Sequence, residues 1–165
     1  MDYRLHLIEL IPMQVRPNGD SPAEQLVKFK HHKEANETLS LYIKRREYLS
    51  AYTVAFSQLE DRLRAMAIVK QRDLLGGKNY EMYVTLGLAR VISFNYEKTD
   101  ENSVLIQNLK TITINRNKLL HEAMWRTNAI SLTDITHVMK LRDIVANDLS
   151  KLKRQITRNK KILTA

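Results

Sequence analysis

The 165-residue chain has no cysteine, only four glycines and only three prolines. Without cysteine there is no thiolate zinc site, disulfide framework or thiol nucleophile, which fits a reducing compartment. The prolines and glycines gather at Pro12, Pro17 to Pro22, Gly76 and Gly77, so long stretches between them are free to be helical. Gly76 and Gly77 are not followed by the lysine and hydroxyl pair of a phosphate-cradling loop, which argues against a nucleoside triphosphatase. No charge-free apolar run reaches membrane-spanning length. Met1 to Arg16 carries Asp2, Arg4, His6 and Glu9 and lacks the charge order and cleavage site of a signal peptide. These absences predict a soluble, cytoplasmic protein with no membrane partner. At this length one core suffices for folding, so no cofactor is implied.

Positive charge is in excess: the formal net charge is +9 and the isoelectric point about 9.8. The imbalance is greatest from Lys140 onward, through Arg142, Lys151, Lys153, Arg154, Arg158, Lys160 and Lys161, opposed by Asp143 and Asp148. Lys44, Arg45 and Arg46 form a second cluster. Such runs suit a polyanion, nucleic acid ahead of an anionic membrane; a solvated helix face is the blander reading of each run taken singly. The aromatic residues sit mainly at helical core spacing, so base-stacking platforms are not evident.

The pattern predicts an all-α fold, an antiparallel bundle of four to five helices with a short N-terminal arm or strand over residues 3–15. The expected division is an arm and helix over 1–37, followed by the bundle over 38–165. Ser21, Pro22 and Glu24 mark a helix start, with a pause expected near Asn36 to Thr38. Tyr42, Leu49, Tyr52, Phe56, Leu59, Leu63 and Met66 then form one long apolar stripe ending before Gly76. A helix from about Tyr80 to Tyr96 follows, with Gly87 allowing close backbone approach. Another runs from Ser103 to about Arg126, and Ser131 with Asp134 caps a last one.

The helix from Ser103 holds the most informative feature. Its apolar stripe runs Leu105, Leu109, Ile112, Leu119 and Ala123, and Arg116 interrupts it near its centre, at about 100° per residue. A charge there costs several kcal/mol unless it is paired or reaches a wet cleft. A core carboxylate such as Glu60 would be the structural partner. His121 lies about 140° round the helix from Arg116. Between the two point Ile106, Thr113, Asn117, Leu120 and Met124, a half-polar strip able to meet a second copy across a two-fold axis. An arginine offers a planar fork for phosphate oxygens, and a histidine passes protons near neutrality. Together they suit chemistry on a phosphodiester. His31, His32 and Glu34 do not suit a metal, because adjacent histidines diverge by about 100° on a helix.

Arg116, Asn117 and His121, on the penultimate long helix, resemble the motif of the HEPN superfamily (higher eukaryotes and prokaryotes nucleotide-binding domain). That motif is arginine, four to six intervening residues and histidine, commonly with a polar residue straight after the arginine. The resemblance covers roughly Thr38 to Ile156. It implies metal-independent RNA cleavage by a homodimer, in a toxin, phage-defence or phage-encoded setting. His121 would be general acid or base, Arg116 would hold the scissile phosphate and Asn117 would orient the histidine or a phosphate oxygen. Glu60 would be a further acidic residue from an earlier helix, with Asp61 behind it. Lys44, Arg45, Arg46, Lys118, Lys151 and Arg154 would hold the RNA backbone. One subgroup of the family carries a tyrosine two residues after the histidine, through which an antitoxin silences it. Ala123 stands there in this chain, so any antitoxin or regulatory protein would act differently. Many family members bind RNA or nucleotides without cutting, so a non-catalytic binding module stays open, as does a basic domain that meets an acidic protein.

Overall fold

The computed structural model describes residues 22–126 and 128–164, with side chains from residue 30 to residue 163. Five α-helices account for most of it: α1 Pro22–Lys44, α2 Tyr48–Val69, α3 Leu88–Asn95, α4 Asp100–Trp125 and α5 Leu132–Thr164. A π-helical turn, Lys70–Leu74, continues α2, and a 3₁₀ turn, Tyr80–Val84, precedes α3. There is no strand among the described residues. The fold is an all-α bundle, and the arm expected over residues 3–15 lies outside the described residues.

The core gathers on α2. Tyr52, Phe56, Leu59 and Leu63 are buried at steps of three and four, as are Ala51, Ala55 and Ala67. From α5 come Ile135, Val138, Leu141, Val145 and Leu149; from α3 come Val91 and Ile92. Each large side chain so buried contributes on the order of 1.5–3 kcal/mol. Polar pairs fix the register. Gln58 Nε2 donates to Asn36 Oδ1 at 3.0 Å, and Arg142 Nη1 donates to Gln58 Oε1 at 2.6 Å and to Asn36 Oδ1 at 3.3 Å, tying α1, α2 and α5 together. His32 lies 3.9 Å from Asp61, so α1 runs antiparallel to α2. Going down α2, Tyr52 feels Asp134, Gln58 meets Arg142 and, just beyond the helix, Asp73 feels Lys153 and Lys160. Helices α2 and α5 therefore run in the same direction. Helix α4 returns the chain from the end marked by the Tyr96 to Asp148 hydrogen bond to the end where α5 begins.

Two expected helix limits differ from those found. The pause near Asn36 to Thr38 does not occur: α1 is continuous to Lys44, and the 37/38 boundary falls inside it. Asn36 spends its side-chain oxygen on Gln58 and Arg142, and Leu39 is buried, so nothing there favours leaving the helix. The stripe from Tyr42 to Met66 is broken instead at Arg46, whose φ is 59°. Arg46 N–H bonds Ile43 O at 3.1 Å and Glu47 N–H bonds Tyr42 O at 2.9 Å, the pair that defines a Schellman closure with Arg46 in its left-handed position. The helix expected over Tyr80 to Tyr96 is a 3₁₀ turn plus the short α3, with Gly87 preceding Leu88. A Cβ at Gly87 would meet nothing within 4 Å, so this glycine serves no close approach. By contrast Ser131 and Asp134 form the expected cap: Asp134 Oδ2 accepts from Ser131 N and Oγ at 2.8 and 2.6 Å.

A left-handed arginine costs about 1–2 kcal/mol, part of which glycine would give back as backbone entropy. Arg46→Gly is therefore expected to raise the unfolding free energy by about 0.5–1 kcal/mol. A urea midpoint that falls, or does not move, would contradict this reading of the turn.

Candidate functional site

Helix α4 is buried unevenly. Its fully buried residues, Ile106, Leu109 and Ile112, lie in its first half. The second half, which holds the motif, keeps only partial cover through Leu119, Leu120 and Ala123. Asp100 and Glu101 in the first turn complement the helix dipole.

Arg116 occupies the inward side of this half, as its place in the apolar stripe requires. Its guanidinium lies over the Phe56 ring, 4.9 Å from the centroid. The buried Tyr52, one turn earlier on α2, has its phenol pushed up by desolvation and by Asp134, while the charge of Arg116 pulls it down. Arg116 thus sits at the junction of α4, α2 and the start of α5. A cation over an aromatic face gains about 1–2 kcal/mol as it is desolvated, which offsets part of the burial penalty.

Glu60 is engaged elsewhere. Its Oε1 accepts from Arg64 Nε at 2.9 Å and from Nη2 at 2.7 Å, with both side chains largely buried. Arg64 Nη1 also donates to Tyr83 O and Leu86 O, each at 2.8 Å, stapling the 3₁₀ segment onto α2. Glu60 is thereby the anchor of a structural clamp. Lys70 performs a similar task, donating to Phe94 O at 3.0 Å and Asn95 O at 3.3 Å, at the C-terminal end of α3 where the helix dipole favours a cation.

His121 and Asn117 are exposed on the outer side of α4. The half-polar strip expected beside them turns partly inward: Ile106 is buried, Leu120 packs on the core and Thr113 spends its hydroxyl on Leu109 O at 2.8 Å. The outward strip is instead Ile114, His121 and Trp125, within about 40° of one another on the helix. Ile114 is 72 % exposed, Met124 75 % and Trp125 87 %. Pattern reading missed this strip because its members interrupt polar residues without making a regular stripe. Within one chain, Arg116 and His121 do not converge.

The candidate RNA-binding cations stand on three elements. Lys44, Arg45 and Arg46 are exposed at the turn between α1 and α2. Lys118 is outward on α4, 4.0 Å from Glu122, a surface pair worth little. Lys151 and Arg154 share one face of α5 with Gln155, Arg158, Asn159 and Ile162, along a shallow trough of about 410 Å³. Lys151 pairs with Asp148 at 3.5 Å. On another side of α5, the charges of Lys153 and Lys160 help to lower the Asp73 carboxyl, after the larger effect of its hydrogen bond from Arg72. Among the described residues no three histidines or carboxylates stand together as a metal site would require.

Chemical denaturation should separate the two charged residues. Glu60→Ala is expected to lower stability by about 2 kcal/mol, because it strips the partly buried Arg64 of its carboxylate. Arg116→Met should leave stability unchanged or raise it, because an apolar side chain of similar length completes the stripe over Phe56. A large loss in Arg116→Met would make Arg116 a structural residue. Compared with family models, with curated proteins and with solved structures, the chain gives no match.

Proposed function

We propose that the chain is an HEPN-type endoribonuclease that cleaves RNA without metal, in a groove formed by α4 of two copies. The observation that carries this reading is His121 itself, exposed on a helix face that the rest of the bundle leaves bare. Ile114, Met124 and Trp125 flank it with apolar surface suited to a symmetric partner. A two-fold axis at this strip would bring two imidazoles together, with Asn117 one turn from each.

Two imidazoles provide both proton transfers. One takes the proton of the ribose 2′-hydroxyl as that oxygen bonds to phosphorus. The other gives a proton to the 5′-oxygen as its bond to phosphorus breaks. The products are a 2′,3′-cyclic phosphate and a 5′-hydroxyl, and no redox partner or cofactor enters. Arg116 supplies a fixed positive charge for the phosphate once its guanidinium leaves Phe56 for the groove. Glu60 stays outside this machinery as the partner of Arg64.

A second reading, RNA binding without cleavage, draws support from the same geometry: a guanidinium resting on Phe56 fills a structural place as well as a catalytic one. Incubation with total RNA decides between them. His121→Ala should reduce cleavage by about 10²–10⁴-fold, and Arg116→Met by about 10²–10³-fold. Product ends should be cyclic phosphate and 5′-hydroxyl, and chelators should leave the rate intact. Cleavage undiminished in both variants would sink the catalytic assignment.

A further inference from the structure

A groove of about 500 Å³ runs between α3 and α4, lined by Ala89, Arg90, Ser93, Phe94, Lys110 and Ile114. This size suits a nucleotide-sized ligand. Two of its six lining residues are cations, one on each wall. Among the described residues neither Arg90 nor Lys110 has an ion pair or a side-chain hydrogen bond, unlike Arg64 and Lys70, which bond to carbonyls of the segment leading into α3 and of its C-terminal end. Ser93 spends its hydroxyl on Ala89 O at 3.1 Å. The remaining lining is apolar. Phe94 is held in place by stacking on Tyr83, with ring centroids 4.6 Å apart, and by Lys70, whose Nζ lies 5.3 Å from its centroid.

The α4 wall of this groove leads to His121. Lys110, Ile114, Lys118 and His121 follow one another at steps of four, four and three along the exposed side of the helix. Lys110 and His121 are thus about 16 Å apart along the axis, a distance that about five stacked nucleotides cover at 3.4 Å each.

We propose that the α3–α4 groove is a docking subsite for single-stranded RNA, remote from the reacting phosphate. Arg90 and Lys110 hold backbone phosphates, and the edge of Phe94 contacts a ribose or base, while Ile114 borders the groove on the side of the proposed partner. This assignment rests on the reading of the chain as an RNA-acting protein and deepens it by giving the strand a path. Alternating cation and apolar wall matches the alternation of phosphate and base, and the net charge of +9 favours a polyanion throughout. An acidic peptide would match the cations alone.

The test is fluorescence anisotropy of the full chain with a labelled single-stranded 2′-O-methyl RNA of about twelve nucleotides, long enough to span groove and histidine. That probe cannot be consumed by 2′-hydroxyl chemistry. The double variant Arg90→Ala with Lys110→Ala changes two exposed or half-exposed side chains, and its folding is checked by circular dichroism melting. Its Kd should rise about tenfold, and the slope of log K against log salt should lessen by about 1.4, the share of two phosphates on a single strand. An unaltered Kd and slope in a folded variant would overturn the groove while leaving cleavage by His121 standing. Loss of the cleavage reading, with the groove effect present, would leave the groove standing, because binding is read without turnover. No salt-sensitive binding by the unaltered chain would overturn both. An oligoglutamate peptide that competes as well as RNA at equal charge, and loses affinity in the same variant, would reassign the groove to an acidic protein and overturn the proposal.

Discussion

The parallel packing of α5 on α2 is the constraint on which the rest of this structure depends. Tyr52, Phe56, Leu59 and Leu63 share one buried cluster with Ile135, Val138, Leu141 and Val145, and the hydrogen bonds among Asn36, Gln58 and Arg142 lock that seam to α1. Two helices that run the same way need a connection that carries the chain back. Here α3 and α4 are that connection. Helix α4 is attached by its first half, through Ile106, Leu109 and Ile112, and its second half lies against the bundle with partial cover. The motif falls on the loosely held half, where an exposed histidine and an exposed tryptophan cost the fold little.

Much of this was legible in the sequence, and the failures have identifiable physical causes. The apolar stripes of α2, α4 and α5 were plain, because steps of three and four report burial directly. The cap at Ser131 and Asp134 was also legible, since its chemistry is local. The turn between α1 and α2 was not: a Schellman closure usually announces itself with glycine, and here Arg46 takes the left-handed position. The role of Glu60 depended on a long-range fact, the carbonyls of Tyr83 and Leu86 brought within reach of Arg64. Spacing on α2 showed the possibility of a pair with Arg64, while only the folded chain showed what the pair holds. The groove at Arg90 and Lys110 joins two helices and has no signature on either.

Arg116 and His121 are separated in one chain by the geometry of their helix, about 140° apart. Arg116 completes a junction with Phe56 and Tyr52 from the inner side. His121 shares the outer side with Ile114 and Trp125. A monomer offers one proton-transfer group on an open surface, whereas a two-fold pair offers two in a groove shielded by apolar neighbours.

The dependence of activity on assembly tests this account most directly. Cleavage per protomer should be measured across a dilution series, with sedimentation at the same concentrations. The account predicts that the rate per protomer follows the dimer fraction and vanishes as the monomer comes to dominate. A monomer that retains the full rate per protomer would contradict it.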